Sequence, residues 1–125
     1  MDQSLAKAAL LVAAGGAMGS VMRFLISVWI KTTGGFPWPT LLVNILGCLI
    51  IGVIYGISGK YASEQMRLLL ATGFCGGFTT FSAFGQENLE LLQHQQYLLA
   101  TLYTLCSLIG GIGAAWLGNS LAGKW

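Results

Sequence analysis

The chain is expected to be an all-α membrane protein of four spanning helices, the third broken in mid-membrane, and three observations predict this. Of 125 residues, 55% are hydrophobic and only 8% charged, with a mean hydropathy of +0.74, whereas soluble domains carry about 25% charged residues. Polar and glycine-bearing punctuation divides the chain into four apolar stretches, each near or above the roughly 20 residues that cross a bilayer. Glycines and threonines crowd the middle of the third stretch, where a continuous helix is unfavourable.

The first stretch covers about residues 5–30, interrupted by Arg23, and ends at Lys31-Thr32-Thr33-Gly34-Gly35. Its opening imitates a signal peptide, with Lys7, an apolar run at 8–14 and Gly15-Gly16-Ala17. The run continues to spanning length, which favours a helix that stays in the membrane. The second stretch, about 38–58, is entered through Pro37 and Pro39, as a first helical turn permits, and stops at Gly59-Lys60. The third, about 64–92, follows Ser63 as N-cap with Glu64 in its first turn. After the loop Gln93-His94-Gln95-Gln96, the fourth covers about 97–121, with Tyr97, Trp116 and Trp125 as interface anchors. These spans occupy the whole chain as a single transmembrane domain, 1–125.

Composition also excludes functions. Six scattered Lys and Arg residues give a net charge of +2 without a patch, so no nucleic-acid footprint exists. Cys48, Cys75 and Cys106 sit singly in three stretches without a CxxC pair, which reads as small core residues rather than redox chemistry. One histidine and four acids offer no catalytic cluster, so the chain is not expected to be an enzyme. A proton-coupled small multidrug-type transporter wants a carboxylate in the first span, where only Asp2 precedes the membrane. A non-conducting packing protein is the remaining alternative. Small-xxx-small spacings at Gly15/Gly19, Gly52/Gly56, Gly73/Gly77 and Gly110/Ala114/Gly118 predict close helix packing, within or between subunits.

The chemistry concentrates between Thr72 and Phe84, TGFCGGFTTFSAF. Backbone groups freed by a break at membrane depth need protein, water or an ion, because lipid offers no hydrogen bonds. Carbonyl oxygens suit a hard cation, and Gly76 and Thr79 are placed to offer them; composition alone also accommodates a packing kink without a ligand. Phe78, Phe81 and Phe84 recur every three residues, the spacing of one helix face. With Thr79, Thr80 and Ser82 beside them, ring edges and hydroxyls can take over part of a small anion's hydration. Donors without a fixed charge suit conduction, which requires favourable but weak binding. Asn44 and Arg23 are the other intramembrane polar groups. For Asn44 the alternatives are an interhelical hydrogen bond or a pore-side donor. For Arg23 they are snorkelling or function.

Gly19-Ser20-Val21-Met22-Arg23, Thr40-Leu41-Leu42-Val43-Asn44 with Gly47, the 72–84 stretch and Glu87 occur in an order and spacing that resemble the small fluoride channels called Fluc or CrcB. The resemblance covers nearly the whole chain. It implies a four-helix subunit in the bacterial inner membrane, paired antiparallel with a second copy, with two pores exporting fluoride passively and a central structural sodium ion. Carried over by motif position, it makes Phe81 and Phe84 the pore rings and Asn44 and Tyr103 pore-side hydrogen-bonding residues. Arg23 becomes a vestibule charge, Gly76 and Thr79 the carbonyl ligands of sodium, and Ser82, Glu87 and Ser107 further polar positions. The chain departs from the family pattern at Ala83 and Gly85, and at Gly111 and Ala115, where hydroxyl residues are expected. Positive charges fall unevenly, with Lys7, Lys60, Arg67 and Lys124 on one side and Lys31 on the other, unless Arg67 lies within the third helix.

Overall fold

The computed structural model describes residues 2–57 and 62–123. The expected stop at Gly59-Lys60, the charges Lys60 and Lys124 and the anchor Trp125 lie outside the described residues.

Helix α1 is Gln3–Trp29, and Asp2 caps it by accepting the Leu5 N–H at 2.7 Å. At 1.5 Å per residue its 27 residues extend about 40 Å, long enough to cross the hydrocarbon core even when tilted. The helix runs on unbroken past the signal-peptide-like segment. A tight turn follows, with Thr33 paired to Phe36 and both Gly34 and Gly35 in the left-handed region, at φ 64° and 79°. Helix α2 is Trp38–Ile57.

The third span is built from four pieces. Ser63 caps the short α3, Glu64–Arg67, by accepting the Met66 N–H at 3.2 Å, so Arg67 belongs to the helix rather than to the loop. A π-helical stretch, Leu68–Cys75, continues into α4, Gly76–Phe78. Thr79 and Thr80 are extended, and α5, Phe81–Gln93, completes the span. Gln95, at φ 59°, turns the chain into α6, Tyr97–Leu121. All four predicted spans are thus long and apolar enough to cross a membrane, and the third is interrupted as expected.

The aromatic face is a correction. Phe78, Phe81 and Phe84 do not share one helix face, because the extended Thr79-Thr80 pair falls between Phe78 and Phe81. Phe78 stays before the break, buried and stacked on Phe74, while Phe81 stacks on Phe84 after it. A spacing of three keeps residues in register only while the helix continues.

Packing divides the chain into two close helix pairs. Helix α1 lies along the π-helical stretch and α4, and α2 lies along α6. Glycines bring the backbones together, as the small-residue spacings predict, and they do so within the subunit. A methyl group at Gly19 would overlap the Phe74 carbonyl oxygen and stand 2.8 Å from the Phe78 nitrogen. In the other pair, a methyl at Gly118 would overlap the Leu49 carbonyl oxygen. Helix α5 is held less closely, mainly against α6. The core is correspondingly small. One cluster gathers Leu41, Leu91, Ala100 and Tyr103, and another gathers Ile54, Ala71 and Cys75. Large apolar side chains such as Leu10, Phe24, Ile109, Ile112 and Phe81 remain exposed, as lipid or a partner subunit requires.

Candidate functional site

The break is held open by polar groups from two other helices. In a continuous helix the Thr80 N–H would bond the Gly76 carbonyl; here it donates to Asn44 Oδ1 at 2.8 Å, and Asn44 Nδ2 donates to the Thr80 carbonyl at 3.1 Å. One amide side chain on α2 therefore replaces both partners of a backbone residue. Asn44 keeps a second amide hydrogen for another acceptor. From α1, Arg23 Nε donates to the Gly77 carbonyl at 3.0 Å, so the arginine reaches the break rather than only snorkelling outward. Within the span, Thr79 donates through both N–H and Oγ1 to the Cys75 carbonyl, at 3.0 and 2.8 Å. Thr80 Oγ1 then caps α5 by accepting the Ala83 N–H at 3.1 Å, and it lies 3.1 Å from Ser82 Oγ.

Gly47 explains why α2 comes this close. It is buried one turn beyond Asn44, and a methyl group there would overlap Thr79 Cγ2. Around the break opens a cavity of about 430 Å³ whose lining includes Asn44, Gly76, Thr79, Phe81, Phe84 and Ser107. Among the described residues, none that lines it is charged. Ser107 Oγ is buried and has no hydrogen-bond partner among the described residues, an arrangement that costs about 1–3 kcal/mol unless a ligand or water fills it. Phe81 is 77% exposed at the cavity edge. At Gly76 a side chain would meet open space.

Beyond the cavity, α5 is tied to both neighbouring helices by one carboxylate. Glu87 accepts from Thr40 Oγ1 at 2.9 Å and from the Tyr103 hydroxyl at 3.0 Å. A second tie joins Thr104 Oγ1 to Asn88 Oδ1 at 3.3 Å, while Asn88 Nδ2 donates to the Phe84 carbonyl at 3.2 Å. Rings continue along the same line. Phe81 and Phe84 stack with centroids 5.4 Å apart, Phe84 meets Tyr103 at 5.1 Å, and Tyr103 meets Phe36 edge-on at 5.5 Å. Glu87 also lines a second cavity of about 540 Å³ at the end of the bundle that carries the Lys31 loop, with Gly34, Gly35, Glu90 and His94. The layer of Phe84, Tyr103 and Glu87 thus stands between a mid-span cavity and one end of the bundle.

The structure brings Asn44, Gly76, Thr79, Phe81, Phe84 and Ser107 together on one cavity, while Ser82 lies beside Thr80, Tyr103 and Glu87 pair next to Phe84, and Arg23 meets the Gly77 carbonyl without lining that cavity. Sequence reading quoted Thr40 within a motif without the role of partner to Glu87 that the structure gives it, and did not single out Asn88 or Thr104. Asn88 is four residues after Phe84 and Thr104 follows Tyr103, but a polar residue on a long helix carries no mark of which helix it meets. Among the described residues no cluster of three His, Cys, Asp or Glu side chains could hold a metal ion; oxygen ligands here are carbonyls and hydroxyls.

Four helices long and apolar enough to span a bilayer, with a mainly apolar cavity carrying a few neutral polar groups at a helix break, define an integral membrane protein. The family described as CrcB-like protein, Camphor Resistance (CrcB), matches residues 10–119. The chain belongs to this CrcB family. Its relatives include the fluoride-specific ion channel FluC of Leptospira interrogans, 44% identical over 119 residues, covering 92% of this chain and 94% of the relative. The protein of the same name from Chlorobium phaeobacteroides is 47% identical over 121 residues, covering 94% of each. A third, FluC 2 of Rhodococcus jostii, is 46% identical over 112 residues, covering 90% of this chain and 96% of the relative.

Proposed function

We propose that the protein is a fluoride channel that lets fluoride leave the cytoplasm passively. The observation that carries this reading is the uncharged mid-membrane cavity, into which neutral donors converge. Fluoride is small and strongly hydrated, so it enters such a site only if several weak donors replace its water. Here these are the spare Asn44 amide hydrogen, the Ser107 hydroxyl, which has no partner among the described residues, the edges of Phe81 and Phe84, and the positive end of α5. No lysine or arginine in the wall holds the ion permanently, and weak binding is what lets it leave. The names of the relatives, fluoride-specific ion channels at 44% and 47% identity, support the same ion.

The finer reading is an antiparallel homodimer with two pores in a bacterial inner membrane. Its support is the open side of the site. Phe81 is 77% exposed, and α5 has an incomplete set of neighbours within the subunit, so a second copy completes the wall. A structural sodium ion fits the break: diversion of the Thr80 N–H to Asn44 removes the helical donor from the Gly76 carbonyl, and carbonyl oxygens of Gly76 and Thr79 are hard ligands. When bound, sodium offsets the carbonyl dipoles that the break leaves exposed.

Purified protein in fluoride-loaded liposomes, followed with a fluoride electrode, tests the function. Rapid fluoride release with retained chloride is expected, and equal release of both ions, or of neither, rejects the proposal. The same preparation tests the finer parts. Lys31 should be reachable by label from both faces of the membrane, and exhaustive sodium removal should slow the flux and loosen the dimer. Labelling from one face alone rejects the antiparallel pair, and unchanged flux and dimer stability reject the sodium role.

A further inference from the structure

We propose that Cys48 and Cys75 form a binding site for a soft, thiophilic cation in the wall of the mid-membrane cavity. The flux consequence rests on the reading of that cavity as the ion path; the site itself does not. Cys48 projects from α2, half-buried, and Cys75 ends the π-helical stretch at 2% exposure. Both line the same cavity and both are free thiols. The backbone keeps them near, because Gly47, next to Cys48, is where α2 presses against Thr79 and Phe78. Cys75 belongs to a core cluster against which Ile50 and Ile51 of α2 pack, the turn next to Cys48, and opposite Cys48 stands Gly111, where a methyl group would lie 3.4 Å from its sulfur.

The two ligand sets of this cavity therefore differ in kind. Carbonyls at the break suit a hard ion, whereas a sulfur pair selects soft ions. Zinc wants four ligands, and no third His, Cys, Asp or Glu joins the pair among the described residues. Mercuric ion is satisfied by two sulfurs in a line. Each thiol gives its proton to water as its sulfur–mercury bond forms, so two protons leave per ion, no electrons transfer, and the product is neutral. Such an adduct obstructs the cavity by its bulk.

Mercuric nitrate added to the Cys106→Ala protein, which removes the exposed third thiol, tests the site through sulfur-to-mercury charge-transfer absorption and a free-thiol assay. Saturation at about one mercury per chain with both thiols consumed is expected. Saturation at about two per chain, each thiol binding alone, or a Cys75 thiol that stays free, overturns the proposal. In liposomes the saturated protein should lose fluoride flux about tenfold, with Cys48→Ala and Cys75→Ala each resistant. Paired binding with undiminished flux keeps the metal site and rejects the cavity as the ion path.

Discussion

The two halves of the third span, the first apolar and rich in glycine and the second carrying Gln86, Glu87, Asn88 and Glu90, are held by opposite means. Before Thr79 the chain is wedged against α1 through bare backbone, with Gly15, Gly19, Gly73 and Gly77 at the contact. After Thr80 it is held at a distance by side chains, through Glu87 to Thr40 and Tyr103 and through Asn88 to Thr104. Close backbone packing leaves no room for a ligand on the side that faces α1, and hydrogen-bonded spacing leaves cavities. The difference implies a division of work in which the first half is frame and the second half is path. Substitutions in the first should cost assembly, and substitutions in the second should cost flux from a protein that still assembles.

The largest effect is expected at Gly19. Gly19→Leu forces a side chain into the Phe74 carbonyl, and because the obstacle is backbone, the helices must separate. Overpacking typically costs about 1–3 kcal/mol even where side chains can adjust, so this protein should not elute as a folded species on size exclusion. A folded, conducting Gly19→Leu channel would erase the contrast between the halves.

Asn44→Asp is expected to come next. It keeps the acceptor for the Thr80 N–H but sets a carboxylate oxygen against the Thr80 carbonyl and facing a passing anion. Two like charges about 4 Å apart repel by roughly 4 kcal/mol at an effective dielectric of 20, so fluoride flux should fall to the background of empty liposomes. Asn44→Gln, tested by the same electrode, should recover part of it.

The smallest effect sharpens the comparison most finely. Ser107 Oγ has no partner among the described residues, so Ser107→Ala should leave the melting temperature unchanged or slightly raised while reducing flux by a few-fold. A lower melting temperature with normal flux would reassign the hydroxyl to packing.

Much of this was legible from residues alone, for physical reasons that also mark the boundary. Span lengths follow from hydropathy because the bilayer sets them, and Ser63 was readable as a cap because capping is local. The small-residue contacts were visible as spacings, though not which helices they join. The broken third helix was visible because glycines and threonines at membrane depth are anomalous, yet its position was not. Gly76 and Gly77 suggested it, but both remain helical, and the turn falls at Thr79-Thr80. What decides the position is Asn44, 36 residues away in sequence, a partner that no local pattern announces. For the same reason the ring spacing of Phe78, Phe81 and Phe84 misled. Arg23 showed as an intramembrane charge, but its bond to the Gly77 carbonyl depends on the glycine-lined approach of α1.

The account turns on the rings of α5 being path rather than packing, and Phe84→Ile measures that directly. Isoleucine keeps apolar bulk and removes the aromatic edge, whose interactions are worth about 0.5–1.5 kcal/mol. Up to about tenfold in rate corresponds to that range. In liposomes, with dimer content and melting temperature matched to the unmodified protein, fluoride efflux through Phe84→Ile should be slower by about this factor. Efflux at the unmodified rate from an equally stable protein would contradict the central claim and place the path elsewhere.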